Sequence, residues 1–140
     1  MAADPSRVPK ADPAQVVRDY LAAMERRDLA AAKAMLAPGF AMVFPGDRRM
    51  GSLEELVESA KRRYRSALKD YEHFDVAPAS DGTSVVYCFG RLRGELLSGE
   101  PYSGIRFIDR FTVAGGRLVD QMVWNDMGEV LGPKLTPAAT

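Results

Sequence analysis

Residues 104–113, Gly-Ile-Arg-Phe-Ile-Asp-Arg-Phe-Thr-Val, form the segment that most constrains the fold. Side chains of a β-strand alternate between its two faces. Here the odd positions are apolar except for Asp109, and of the even positions after the glycine only Ile108 is apolar. The pattern predicts a strand with one face in the core and a carboxylate in the middle of that face. A buried carboxylate without a partner is costly, so Asp109 either finds strong partners or takes up a proton.

Asp109 is therefore the first candidate for a functional residue, because perturbed carboxylates are enriched at functional sites. A structural alternative stays open here, since an Asp that caps a turn or pairs with an Arg inside the sheet produces the same pattern. Phe107 and Phe111 flank Asp109 on the apolar face of the strand. We predict that both contact a ligand.

The composition limits the partners and the location of the protein. Nineteen acidic and nineteen basic residues balance at a formal net charge of zero, whereas a nucleic-acid binder shows a basic excess. No apolar run is long enough to span a bilayer, and residues 1–10 lack the apolar centre of a signal peptide. The single cysteine, Cys88, excludes an internal disulfide and fits a reducing cytoplasm. We therefore expect a cytoplasmic protein with neither a nucleic-acid nor a membrane partner.

The sequence also argues against the common cofactor sites. One His and one Cys do not make a zinc site of the usual nitrogen and sulfur kind. No Gly-rich phosphate loop, nucleophile elbow or haem motif is present. An all-carboxylate metal site stays open as an alternative, although the sequence shows no clustered motif for one. We expect no cofactor and no metal.

Helix signals dominate the first half of the chain. Asp12 and Ser52 each precede apolar residues at helical spacing and predict helix N-caps. Asp28 predicts a short Ala-rich helix that ends near Pro38. The apolar spacing after Ser52 continues to Leu68, which predicts a long third helix. Residues 40–44 form the one strand predicted in this half.

Strand signals dominate the second half. The predicted strands are residues 71–77, 84–93, 104–113 and 117–124, with a loop at residues 94–99. Helices gathered on one side of such a meander make an α+β fold. We predict a cone-shaped domain over residues 12–131, in which three N-terminal helices pack on a strongly curved, mostly antiparallel sheet that encloses a pocket. Residues 1–11 and 132–140 are predicted to be a flexible arm and a flexible tail.

This order of elements resembles the nuclear transport factor 2-like superfamily, including SnoaL-like polyketide cyclases and ketosteroid isomerases. The segments that carry the resemblance are residues 17–21 with 27–28, residues 40–46 with 51–55, and residues 108–111 with 116–119 and Trp124. The resemblance as a whole covers roughly residues 14–130, nearly the whole domain. Fold alone does not fix function in so broad a superfamily.

The isomerase resemblance implies roles for two residues. In ketosteroid isomerases a Tyr on the first helix and an Asp on a late strand form an oxyanion hole, and Tyr20 and Asp109 match these positions. A carboxylic acid kept neutral by an apolar site can donate a hydrogen bond to an enolate, and Tyr20 would be the second donor. The isomerases carry their general base where this chain has Phe44, which cannot move a proton. A 3-oxo-steroid isomerase is therefore disfavoured, and Phe44 is predicted to contact the ligand instead.

The cyclase resemblance implies a different base. SnoaL-like cyclases place an acid/base Asp shortly after the last strand, and Asp126 matches this position. Asp47 and His73 are the alternatives. Trp124 and Tyr64 are predicted to line the pocket.

These residues predict a small-molecule-pocket protein, namely a cofactor-independent isomerase, cyclase or lyase that moves a proton on an apolar carbonyl compound. The alternative is a non-catalytic ligand-binding or protein-interaction domain of the same fold. We also expect a homodimer. The even positions of the Asp109 strand are mostly polar, yet the sheet must also accommodate Ile108, Trp124 and Val85 or Val86. An open sheet with apolar residues on both faces usually buries the second face against a partner. The resemblance implies the same pairing.

Overall fold

The computed structural model describes residues 12–135, and four α-helices and one six-stranded sheet lie within this range. The elements are α1 (Pro13–Glu25), α2 (Leu29–Lys33), β1 (Leu36–Phe44), β2 (Arg48–Met50), α3 (Leu53–Lys61), β3 (Tyr64–Pro78), β4 (Ser84–Leu96), β5 (Pro101–Ala114), β6 (Arg117–Asn125) and α4 (Met127–Leu131), followed by a 3-10 helix at Gly132–Leu135. The predicted α+β class is confirmed. None of these helices is long and apolar enough to cross a membrane.

The sheet has the strand order β2-β1-β6-β5-β4-β3. Strands β1 and β6 run parallel, and all other neighbours are antiparallel. Two glycines of β4 allow β3 to approach unusually closely. A Cβ atom would lie 2.1 Å from the Asp70 carbonyl oxygen at Gly90, and 2.1 Å from that of Ser66 at Gly94. A larger residue at either position would force β3 away, so the two glycines permit this close strand packing.

The predicted helix starts are confirmed by their caps. The Asp12 and Asp28 carboxylates accept hydrogen bonds from the backbone N–H groups of Ala14 and Ala31, each at 3.1 Å. The Ser52 hydroxyl accepts one from Glu55 at 3.1 Å. Because capping depends on residues only two or three positions apart, the sequence alone locates these ends. The buried face of α1 carries Val17, Tyr20, Leu21, Ala23 and Met24.

The predicted extent of the third helix was wrong. Helix α3 ends at Lys61, and Tyr64 already begins β3, whereas the apolar spacing predicted helix as far as Leu68. Strand β3 pairs with β4 over its whole length, from Tyr64 opposite Leu96 to Pro78 opposite Ser84. This long ladder outweighs the local spacing, which fits either structure over so few residues. It also extends β4 through residues 94–96, which were predicted to be loop.

Two other boundaries differ from prediction. Helix α2 ends at Lys33, and β1 begins at Leu36 because that residue pairs with Leu118 of β6. The domain was predicted to end at residue 131, but Gly132–Leu135 forms a 3-10 helix and Leu135 is buried with the core. The predicted arm at residues 1–11 and the rest of the predicted tail, residues 136–140, lie outside the described residues.

Candidate functional site

A cavity of about 400 Å³ lies between the helices and the inner face of the sheet. Its volume falls within the range of small-molecule sites, roughly 300–1,000 Å³. The apolar part of its wall includes Leu21 and Met24 of α1, Leu56 and Val57 of α3, and Leu92 and Val123 of the sheet. Polar side chains enter this wall in two groups, one on the sheet and one near the end of α3.

Asp109 is at the centre of the polar group on the sheet. It points inward as predicted, it is fully buried, and it lines the cavity. Its neighbours on the adjacent strands are Cys88 of β4 and Val123 of β6, neither of which offers a charged group. The carboxylate instead meets a cation from β3, because Lys69 Nζ donates a hydrogen bond to Asp109 Oδ2. The buried carboxylate has therefore found a strong partner, a lysine and not the arginine considered above.

Lys69 belongs to the inner face of β3, opposite Leu92. Its side chain is 22% exposed, and its ammonium lies 5.0 Å from the ring centroid of Phe107. Burial lowers the pKa of Lys69, but the Asp109 carboxylate, with smaller contributions from Cys88 and Tyr71, leaves this pKa above its ordinary value. Lys69 is thus a protonated donor at neutral pH, on the wall of an apolar cavity.

Three buried polar atoms on the same wall have no hydrogen-bond partner among the described residues. They are the Tyr20 hydroxyl, Asp109 Oδ1 and Gln121 Oε1. Burial raises the pKa of Tyr20, so its hydroxyl stays protonated and can donate. The Tyr20 ring is fixed edge-on against Phe111, at a centroid distance of 5.9 Å. Because buried polar atoms are costly without partners, these three are the natural contacts for polar atoms of a ligand.

The second polar group is cationic. Arg48 of β2 and Arg63, just after α3, line the cavity, and Arg27 at the end of α1 does so as well. Among residues 12–135, the only other carboxylate on the wall besides Asp109 is that of Glu25. The cavity therefore carries an excess of positive charge, although the whole chain is neutral.

The structure brings five of the predicted site residues to the cavity and leaves three out. Asp109, Tyr20, Phe44, Phe107 and Tyr64 are on its wall. Phe111 is fully buried but packs behind Tyr20 and is not part of the wall. These are locations, and the catalytic roles of Asp109 and Tyr20 stay predictions.

The predicted positions of Asp126 and Trp124 in the pocket were wrong. Trp124 is on the outer face of the sheet and is 51% exposed, because β6 alternates and Val123 and Asn125 take the inner positions. Asp126 follows directly and forms an ion pair with Arg106, whose side chain is also on the outer face. A residue beyond the last strand can turn to either side, and the sequence pattern does not specify which.

The alternative bases are also outside the cavity. Asp47 is exposed in the turn between β1 and β2, 3.2 Å from Arg49. His73 is exposed on the outer face of β3, 3.6 Å from Asp75. Neither is on the cavity wall.

Lys69 is the important residue that sequence reasoning missed. The error in the third helix hid it, because helical spacing does not place Lys69 with Asp109. The available signal was the alternation Ala67, Lys69, Tyr71, which puts these side chains on one strand face. Gln121 was missed because a single polar residue in a short strand carries no distinctive pattern. Within residues 12–135, no group of three or more His, Cys, Asp or Glu side chains could hold a metal ion.

The chain belongs to the SnoaL-like domain family, whose model matches residues 17–121. A nuclear transport factor 2-like protein of unknown function from Burkholderia pseudomallei has a similar structure, with 19% identity, 89% of this chain and 97% of that chain covered, and a TM-score of 0.72. TerC, co-crystallised with polyporic acid, is also similar, with 15% identity and a TM-score of 0.70. The match covers 87% of this chain and 95% of TerC.

A proposed polyketide cyclase from Xanthomonas campestris has 18% identity, 86% and 95% coverage and a TM-score of 0.63. No curated protein matches this chain. At such low sequence identities, the structural similarity establishes the shared fold and nothing more specific. Family and cavity together define a protein with a pocket for a small molecule.

Proposed function

We propose that this protein is a cofactor-independent enzyme that moves a proton on a small, largely apolar carbonyl compound, with an isomerase, cyclase or lyase outcome. The observation that carries the proposal is the Lys69–Asp109 ion pair on the wall of an apolar cavity. It supplies an acceptor and a cationic donor side by side, in surroundings where charges interact more strongly than in bulk water. TerC, of the same fold, was co-crystallised with polyporic acid, which agrees with a pocket that holds a small molecule.

Asp109 is the proposed base. Lys69 holds Oδ2, and Oδ1 is buried without a partner among the described residues. This oxygen would take a proton from the carbon next to the ligand carbonyl. The C–H electron pair would form the carbon–carbon double bond of an enolate, and the carbonyl oxygen would take the negative charge. The ion pair with Lys69 supports a role for Asp109 different from the one that the isomerase resemblance implies, because a carboxylate next to an ammonium is suited to accept a proton.

Lys69 and Tyr20 are the proposed donors to the enolate oxygen. Both are protonated at neutral pH, for the reasons given above. Fixed donors aimed at a developing oxyanion lower the barrier without reorganisation. A conjugated enolate would then regain the proton from Asp109 at another carbon, which isomerises the compound. Alternatively, the enolate carbon would attack a second carbonyl of the same ligand, whose C=O π electrons pass to its oxygen, and this alkoxide would take the proton from Asp109 as the ring closes.

Solvent-deuterium exchange into the acidic C–H of a bound enone or β-keto compound tests this proposal. We expect Asp109→Asn to slow exchange by about a hundredfold or more, as loss of a general base does. Asp126→Asn is the matched control, since it makes the same carboxylate-to-amide change outside the cavity and should leave exchange unaffected. Exchange that survives Asp109→Asn and disappears in Asp126→Asn would refute the assignment.

A non-catalytic ligand-binding domain is the second candidate, and one observation favours it. Asp126, Asp47 and His73 all lie outside the cavity, and Asp109 is already ion-paired. A binding domain needs the cavity but no free base. Measurable binding of such compounds without any exchange would support this candidate over the enzyme.

We also propose that a second copy of the chain covers the outer face of the sheet. An aromatic and aliphatic row crosses it, because Phe89, Ile108 and Trp124 are direct neighbours on β4, β5 and β6. His73 of β3 extends the row, with its ring centroid 4.7 Å from that of Phe89. Light scattering should report a homodimer at micromolar concentration and a monomer for Trp124→Lys. A monomeric native chain would contradict this proposal.

A further inference from the structure

Two arginines near the end of α3 form a second polar centre in the cavity. Arg48 and Arg63 both line it, and both are half-buried. Arg63 is close enough for its charge to affect Arg48. Burial lowers the pKa of Arg48 and the charge of Arg63 lowers it further, while Tyr64 acts in the opposite direction.

Arg48 is held in place by its own surroundings. Its Nε donates to the Pro45 carbonyl oxygen at 3.3 Å, and its Nη1 donates to the Ser59 hydroxyl at 3.4 Å. The second terminal nitrogen, Nη2, makes no hydrogen bond within residues 12–135. Pro45 and Ser59 are themselves on the cavity wall. The guanidinium is thus positioned in advance, with one donor group free.

No carboxylate within the described range neutralises these two arginines. Neither has an Asp or Glu oxygen within 4.0 Å there, although arginines elsewhere on the sheet do. Arg91 pairs with Glu72, and Arg93 pairs with Asp70. Two adjacent, half-buried cations repel each other, and an anion between them removes that cost.

We propose that Arg48 and Arg63 bind a carboxylate of the ligand, whose apolar body occupies the cavity. Guanidinium groups match a planar carboxylate through paired hydrogen bonds, which are stronger than those between neutral groups. The apolar wall of Leu56, Val57 and Ala60 lies on α3, the same helix that carries Ser59. The proposal rests on the cavity being the functional site and narrows its substrate to an apolar carbonyl compound that also carries an acid group.

Naphthoate and naphthamide are suitable probes, because they share an apolar body and differ mainly in charge. Calorimetric titration of the full chain should show naphthoate binding about tenfold or more tightly than naphthamide, which is the size expected for one charge-assisted contact. Arg63→Gln should weaken naphthoate binding and so remove most of this preference, with a much smaller change in the affinity for naphthamide. Arg48→Lys should weaken naphthoate binding as well, because lysine keeps the positive charge but lacks the paired N–H donors of the guanidinium group. Arg62→Gln, at an exposed neighbour outside the cavity wall, is the control and should change neither affinity.

Three results would overturn the proposal. The first is equal affinity for the two probes, and the second is an equal loss for both probes in Arg63→Gln. The third is a loss of naphthoate binding in Arg62→Gln that matches the loss in Arg63→Gln. These results differ from those expected if only the enzyme proposal fails. In that case naphthoate would still bind with the predicted preference, but no carbonyl ligand would exchange deuterium with the solvent.

Discussion

Two carboxylate–cation pairs lie on opposite faces of the sheet, and they differ chiefly in burial. Asp109 is fully buried and Lys69 is 22% exposed, whereas Arg106 is 73% exposed and Asp126 is 32% exposed. Water screens the outer pair, while the inner pair interacts through a less polarisable medium. Strand alternation and family resemblance both make Asp109 a candidate catalytic group, and resemblance alone does so for Asp126, but of the two only Asp109 lies on the cavity wall. Burial, more than residue type, therefore decides which carboxylate can do chemistry.

The largest expected effect comes from breaking the inner pair. Lys69→Met keeps most of the side-chain volume but leaves the Asp109 carboxylate without its cation. Removing one partner of a buried pair typically costs about 3–5 kcal/mol in the free energy of unfolding. Urea unfolding of the variant and the native protein measures this loss.

A double variant shows whether the loss comes from uncompensated charge. Lys69→Met combined with Asp109→Asn leaves no charge at this position, so it should recover a large part of the stability lost in Lys69→Met. A double variant that is less stable than Lys69→Met would contradict this account and point to packing defects instead. Deuterium exchange into the ligand should be absent from both variants. Lys69→Met lacks a proposed donor to the enolate oxygen, and the double variant lacks the proposed base as well.

Alkaline pH weakens the same region without any substitution. The pKa of Lys69 in the folded protein lies above its ordinary value of 10.5, so its contribution to stability is fully present below that pH and is lost as pH rises through the folded pKa. Burial, together with the Asp109 charge, also raises the pKa of Cys88 from 9.0 to about 12. The unfolded chain therefore releases these protons first, and stability should fall from about pH 9 upward. Urea unfolding at a series of pH values tests this, and a flat profile up to about pH 11 would contradict it.

The two pairs also show which information is local. The inward position of Asp109 follows from strand alternation over ten residues, and the helix starts follow from caps a few residues away. Lys69 is 40 positions from Asp109 in the chain, and β4 lies between their strands. The pairing of β3 with β4 along their whole length puts Lys69 on the inner face of the sheet. The local apolar spacing instead favoured a helix up to Leu68. For Asp126, the family resemblance predicted the residue but not its orientation. The turn after β6 decides which way the side chain points, and here it points to Arg106.

The smallest expected effect comes from breaking the outer pair. Asp126→Asn makes the same change as Asp109→Asn, yet in dilute solution it should alter the free energy of unfolding by about 1 kcal/mol or less, as exposed pairs do. Asp126 makes no side-chain cap on α4, so no second contribution is lost. If the outer face pairs with a second copy, the cost of Asp126→Asn should depend on protein concentration, because that copy would remove water from around Arg106 and Asp126. A cost that stays small at every protein concentration would place the pair outside such an interface, and one that grows with concentration would place it inside. A cost equal to that of Asp109→Asn in the dilute monomer would contradict the distinction between the two faces.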